Sequence, residues 1–128
     1  MDYTIKRTID GGFDSVIERT VAALKTEGFG VLSDIDIQST LKAKLNVDMS
    51  RYRILGACNP PLAHQALQAE PAIGVMLPCN VVVHETAPGK IEVTAIDPRA
   101  VIGSIGNPHL TSIAATVAEK LARVVAKV

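Results

Sequence analysis

The sequence predicts an α+β domain in which helices pack on one face of a mainly antiparallel sheet. Three observations carry this. Short segments with two-residue apolar alternation recur along the chain, as half-buried strands require. Two amphipathic stripes, near residues 13–27 and from residue 108 to the end, have the three- and four-residue spacing of helices broad enough to cover a sheet. The order is strand, helix, strand, short helix, strand, short helix, strand pair, long helix, which is neither a parallel βαβ series nor an all-β sandwich.

Residues 2–9 alternate Tyr3, Ile5 and Arg7 with Thr4, Lys6 and Thr8 and stop at Asp10-Gly11-Gly12, a strand followed by a turn. Phe13, Val16, Ile17, Thr20, Val21 and Leu24 then mark a helix, with Asp14 and Glu18 near its positive end and Gly28 as its stop. Phe29 to Ile37 alternates again, with Ser33 as the imperfection. Asp36 suits the cap of a short helix carrying Ile37, Leu41 and Leu45, Asn46 suits its left-handed close, and Lys42 and Lys44 lie on its outer face.

Arg51 to Cys58 reads as a strand. Asn59-Pro60 then supplies a cap and a first helical residue, because proline lacks the N–H that would be unpaired there. Leu62, Ala63, Ala66 and Leu67 form the stripe of that helix, which places His64 on the wet side, and Pro71 ends it. Ile73 to Thr86 reads as an extended segment broken at Pro78. Ala87-Pro88-Gly89 is a turn, and Lys90 to Asp97 pairs back as an antiparallel hairpin. Gly103 to Gly106 reads as a flexible loop, and Asn107-Pro108 repeats the capped helix start. No repeat or linker divides the chain, so residues 1–128 form one domain.

Composition narrows the function classes. Hydrophobic residues make up 48% and charged residues 20%, a globular balance, and thirteen basic residues match thirteen acidic ones. A neutral chain whose only aromatics are Tyr3, Phe13, Phe29 and Tyr52 has neither the charge nor the stacking surface for nucleic acid. Neither a signal peptide nor an apolar run of about 20 residues is visible. With two cysteines and no leader, the expected place is the cytoplasm, with no membrane partner.

Three stretches carry a family resemblance: Phe29-Gly30-Val31-Leu32-Ser33-Asp34-Ile35-Asp36, Tyr52-Arg53-Ile54-Leu55-Gly56-Ala57-Cys58-Asn59-Pro60, and Leu77-Pro78-Cys79-Asn80-Val81-Val82-Val83. Together with Ile96-Asp97-Pro98 and Gly106-Asn107-Pro108, they make the chain resemble the domain-of-unknown-function 302 family (DUF302) over nearly its whole length. The resemblance implies a β-α-β4-α core similar to the TATA-binding-protein-like fold, with extra short helices, and a homodimer. It implies no DNA binding and no assigned activity, so function must come from the chemistry of a site.

That chemistry centres on Cys58 and Cys79, each beside an asparagine and a proline where a strand begins or ends. Cys58 also precedes a helix start, whose N–H groups favour a thiolate. The plain alternative is that both are small buried hydrophobes. Cys58, His64 and Cys79, with His84 or His109, would suit zinc or copper only if they converged, and without a C-x-x-C or H-x-x-x-H pair no metal site is expected. Asp34, Asp36 and Asp97 read as cap and turn residues rather than a carboxylate set, and Lys42, Lys44 and Arg51 as a solvated face.

The leading expectation is a dimeric binding or sensing module with a polar-lined pocket near Cys58, Asn59, Cys79 and Asn80. A second is a cysteine-dependent redox or transfer enzyme with His64 as proton carrier. A third is an interaction domain without a ligand. The sequence identifies no cofactor.

Overall fold

The computed structural model describes residues 2–128. Five strands, β1 (Thr4–Asp10), β2 (Gly30–Asp36), β3 (Tyr52–Cys58), β4 (Cys79–Ala87) and β5 (Lys90–Ile96), form one sheet in the order β1-β5-β4-β3-β2. Every neighbouring pair is antiparallel. Helix α1 (Phe13–Thr26) joins β1 to β2 and α5 (Pro108–Lys127) closes the chain, which gives the expected β-α-β4-α order. The short helices α2 (Ile37–Leu45), α3 (Pro60–Ala69) and α4 (Pro98–Ile102) are inserted between these elements.

Strand alternation decides which face is covered. Leu55, Val81, Val83, Ile91, Val93 and Ala95 are buried on one side, under Val16 and Leu24 of α1 and Leu121 and Val124 of α5. The opposite side carries Lys6, Thr94, Val82, Ile54 and Ile35, in register across all five strands, and no helix covers it. Among the described residues, no helix is long and apolar enough to cross a membrane.

Two terminal segments hold α1 and α5 together. Glu27, just past α1, accepts hydrogen bonds from Arg123 and from Lys127 of α5, at 2.9 and 2.8 Å. The Arg123 guanidinium first, then the Lys127 ammonium, hold its carboxyl down at about 2. Arg7 of β1 donates to the carbonyls of Ala126 and Val128, so the end of α5 is also tied to an edge strand.

Three expectations need correction. The run that begins at Ile73 is not all extended: Pro71–Met76 is a 3-10 helix, and β4 starts only at Cys79. Pro71 starts this turn as a first-position proline, and Ile73 turns inward to pack on Leu110 and Ala66. The stretch before Asn107 is not a plain loop, since α4 and a 3-10 turn at Gly103–Ile105 occupy it. Asp97 is the N-cap of α4, accepting from the backbone N–H of Arg99 at 3.1 Å, rather than a turn residue only.

Ser33, the imperfect position of β2, follows a bulge, because the register with β3 shifts between Val31 and Ser33. The bulge seats the Ser33 hydroxyl over Gly56 of β3. A Cβ built on Gly56 would lie 2.2 Å from Ser33 Oγ and 2.8 Å from Pro78 Cγ, so glycine is required by space rather than by backbone angle. Gly56→Ala is expected to destabilise the fold by about 1–3 kcal/mol in chemical denaturation, and Ser33→Ala in the same chain should recover part of that loss. Unchanged stability of Gly56→Ala would show that β2 and Pro78 yield freely and that this packing matters little.

Candidate functional site

At the end of the sheet where β3 leaves and β4 begins, the chain encloses a cavity of about 300 Å³. The floor is Phe29, Ala57 and Cys79 beside the sheet, and the walls are α3, the 3-10 turn, α4 and the first half of α5. It lies between two packed clusters. One is the main core under α1 and α5, and the other is Ala66, Ile73 and Leu110, with Ile113 touching both. Ala57, Ala63, Ala66 and Ala114 contribute walls that stop at a methyl group, and this shortage of side-chain volume leaves the space open.

The lining is apolar apart from Asn59 and the two thiols, which corrects the expectation of a polar-lined pocket. At the mouth, Leu32, Leu67 and Met76 are 70%, 40% and 44% exposed, so apolar surface continues outward onto the rim. Exposed apolar surface contiguous with an apolar cavity marks a binding region more than scattered single residues do.

Cys58 is the last residue of β3 and Cys79 the first of β4, and Cys79 stands opposite Ala57 in the antiparallel register. Both are free thiols, half-buried, and both line the cavity. Burial, and to a smaller degree the neighbouring Cys58, push the Cys79 thiol up to about 11. At neutral pH Cys79 is therefore a neutral, weakly polar wall rather than a nucleophile.

Asn59 is committed to structure. Its Oδ1 accepts from the backbone N–H of Leu62 at 3.3 Å, capping α3, and its Nδ2 donates to the Glu27 carbonyl at 3.2 Å, fastening α3 to the end of α1. Gly28, at φ +82°, makes this possible, since a Cβ there would lie 3.0 Å from Asn59 Nδ2. Asn107 repeats the arrangement. It caps α5 through His109 N–H at 3.1 Å and donates to the Ala69 carbonyl at the end of α3, also at 3.1 Å.

The other nominated residues lie elsewhere. His64 is exposed on α3 and does not line the cavity. Asn80 points to the uncovered sheet face, where it borders a shallow groove with Tyr3, Tyr52, His84 and Glu92. His84 there lies 3.0 Å from Ser50 Oγ and 4.9 Å, ring to ring, from Tyr52. His109 is exposed in the first turn of α5. Among the described residues, no three His, Cys, Asp or Glu side chains converge as a metal set. Of the charges read as a solvated face, Lys42 pairs with Asp48 and Arg51 with Asp14, Arg51 also lying 4.4 Å over the Phe13 ring.

The sequence reading thus missed most of the cavity: Phe29, Ile73, Met76, Leu77, Ile102 and Ile113 were not among its candidates. The available signal was the run of alanines on α3, a stripe too small to fill the space opposite it.

With this geometry in view, comparison with known proteins gives a consistent placement. The family model described as "Domain of unknown function DUF302" matches residues 5–128. The chain belongs to the DUF302 family. A solved structure, that of an uncharacterized conserved DUF302 protein from Bacillus stearothermophilus, is similar at 30% identity and a TM-score of 0.91, covering 99% of this chain and 98% of that one. No curated protein matches the chain. As a DUF302 domain it brings no inherited activity, so the cavity and its thiols must supply the functional argument.

Iodoacetamide at neutral pH should modify Cys79 far more slowly than a free-thiol peptide, since a thiol at about 11 is ionised in only about one molecule in 10⁴ at pH 7. The rate followed by peptide mass spectrometry should climb until the pH approaches that value. A Cys79 that reacts as fast as the peptide at pH 7 would mean that burial does not hold its proton.

Proposed function

We propose that this DUF302 domain is a binding module for a small, largely apolar molecule held in the cavity between the sheet end, α3 and α5. The observation that carries the reading is the cavity of about 300 Å³ walled by apolar side chains and opening through the apolar rim of Leu32, Leu67 and Met76. Its volume falls at the lower end of the roughly 300–1,000 Å³ typical of small-molecule pockets. The ligand is neutral where it is enclosed, because no ionised side chain lines the walls and a buried unpaired charge would be costly. The thiols of Cys58 and Cys79 are the weakly polar points that would orient it, and oxidation of either would be felt directly by the bound molecule.

The domain is further proposed to work as a homodimer. Support comes from the free edge of β2, where Leu32 and Ile35 are exposed on a strand with one unpaired side. A cysteine enzyme using Cys79 as nucleophile is less well supported, because its thiol is held protonated and His64 is outside the cavity.

Thermal melting in the presence of a series of straight-chain alcohols and small aromatics tests the reading, since a molecule that binds only the folded state must raise the melting temperature. At about 100 times its Kd, a fitting compound should add about 2.7 kcal/mol of stability. Ala63→Phe, which fills the cavity from α3, should abolish the shift while leaving the unliganded protein folded. If no compound of either class raises the melting temperature, or if Ala63→Phe leaves the shift intact, the cavity is not the binding site.

A further inference from the structure

The uncovered face of the sheet holds a second recess, chemically unlike the cavity. Tyr52, His84 and Glu92 stand opposite one another in register on β3, β4 and β5. Thr94, two residues beyond Glu92 on β5, lies on the same face by the strand period. Cross-strand neighbours on one face have Cβ atoms roughly 4.5–5.5 Å apart, close enough to act on one bound molecule. With Tyr3, just before β1, these residues border a groove of about 250 Å³. We propose that this groove binds a small organic cation, a protonated amine carried on a short apolar body.

The charge of the lining fixes the sign of the ligand. Glu92 is the one carboxylate in the groove, and neither lysine nor arginine lines it. The Glu92 side chain is half-buried and accepts from the Thr94 hydroxyl at 3.3 Å. Among the described residues, none of the ion pairs includes it. Lys6 stands beside Thr94 in register, but it is exposed and does not line the groove. A half-buried carboxylate without a counterion attracts a cation and opposes an anion at the same place.

The aromatic residues support the same choice. Tyr3 and Tyr52 are two of the chain's four aromatics, and both border this groove. A tyrosine face attracts a cation within about 6 Å of its centroid. The Tyr52 ring packs against the His84 ring with centroids 4.9 Å apart, tilted by 54°, and His84 Nε2 lies 3.0 Å from Ser50 Oγ. Tyr52 is therefore supported by neighbours of its own, as a rigid binding surface requires.

The groove also limits the length of its occupant. From Glu92 to Ile96 it follows four residues of β5, about 13–14 Å at the rise of an extended strand. Ile96 is in register with Thr4, next to Tyr3, so an aromatic residue stands near each end. An ammonium group beside Glu92 and Tyr52 leaves the apolar body to lie over Val82 toward Ile96. One ring on a two-carbon arm fits this arrangement. Ile96 is the single residue that lines both this groove and the apolar cavity, so the two sites can be occupied and tested separately.

The test titrates the full-length, ¹⁵N-labelled chain with three probes of similar shape and different charge: phenethylamine, 2-phenylethanol and 3-phenylpropionate. Phenethylamine is expected to bind most tightly and 3-phenylpropionate least, with amide shifts centred on Tyr52, His84, Glu92 and Thr94. Glu92→Gln should weaken phenethylamine binding roughly 5-fold or more and leave it no tighter than the alcohol, and Tyr52→Leu should weaken it roughly 3-fold. Raising the salt concentration should weaken the amine and not the alcohol. Equal binding of the three probes, or a Glu92→Gln chain that binds the amine like the parent, would overturn the proposal. So would amine-induced shifts centred on Ala63, Ala66 and Ala114, which would put the amine in the cavity instead. Tighter binding of N-acetyl-lysine methylamide than of phenethylamine would overturn the assignment to a free small molecule. Because Glu92 and Tyr52 do not line the cavity, the alcohol series should shift the melting temperature of both variants as it does that of the parent, whatever the outcome at the groove.

Discussion

The side chains of Asn59 and Asn107 hold together the parts of the molecule that shape its cavity. Each uses one oxygen to start its own helix and one amide to grip the last carbonyls of another, so that α1, α3 and α5 are linked in series by two residues. The prolines that follow make the arrangement unambiguous, because a residue without an N–H and with fixed φ belongs in the first helical turn. Neither asparagine leaves a buried polar atom without a partner. The helices are thereby positioned by hydrogen bonds at their ends, and the alanines that face one another between them do not have to make contact.

This division of labour explains why an open space survives in a well-packed domain. Under α1 and α5, large side chains such as Leu24, Leu55, Ile91 and Leu121 are fully buried and fill the layer. Beyond the sheet end, the walls are set by caps, a 3-10 turn and α4, and the residues that face inward are small or withdrawn. The two thiols occupy the boundary between these regimes, where strands β3 and β4 exchange with helix.

The strands and the two long helices were legible in the sequence because their burial follows a simple period. Ile91, Val93 and Ala95 are buried and Glu92, Thr94 and Ile96 are not fully so, as strict alternation requires, and the α5 stripe is buried from Leu110 to Val125. The caps at Asp36, Asn59 and Asn107 were legible as well, each from one residue type at one position. Pro71–Met76 was not, since an apolar run of that length suits a strand as well as a tight turn, and only the packing of Ile73 on Leu110 decides between them. Asp97-Pro98 has the cap-then-proline form of the other helix starts, but its helix is only five residues long and leaves little periodic signal.

The cavity was hidden for a different reason. Its walls come from segments far apart in the chain, and its volume depends on which side chains fail to meet, a property no local pattern contains. One feature was decidable in advance: Cys79 and Asn80 are consecutive on β4, so their side chains point to opposite faces of the sheet. The space between α3, α5 and the sheet end is a standing apolar cavity. A crystal of the protein pressurised with xenon tests it most directly, because apolar cavities stay dry and take up the gas. Anomalous density for xenon is expected beside Ala63, Ile73 and Ala114, and a collapsed space or a chain of ordered waters in that position would rule the cavity out.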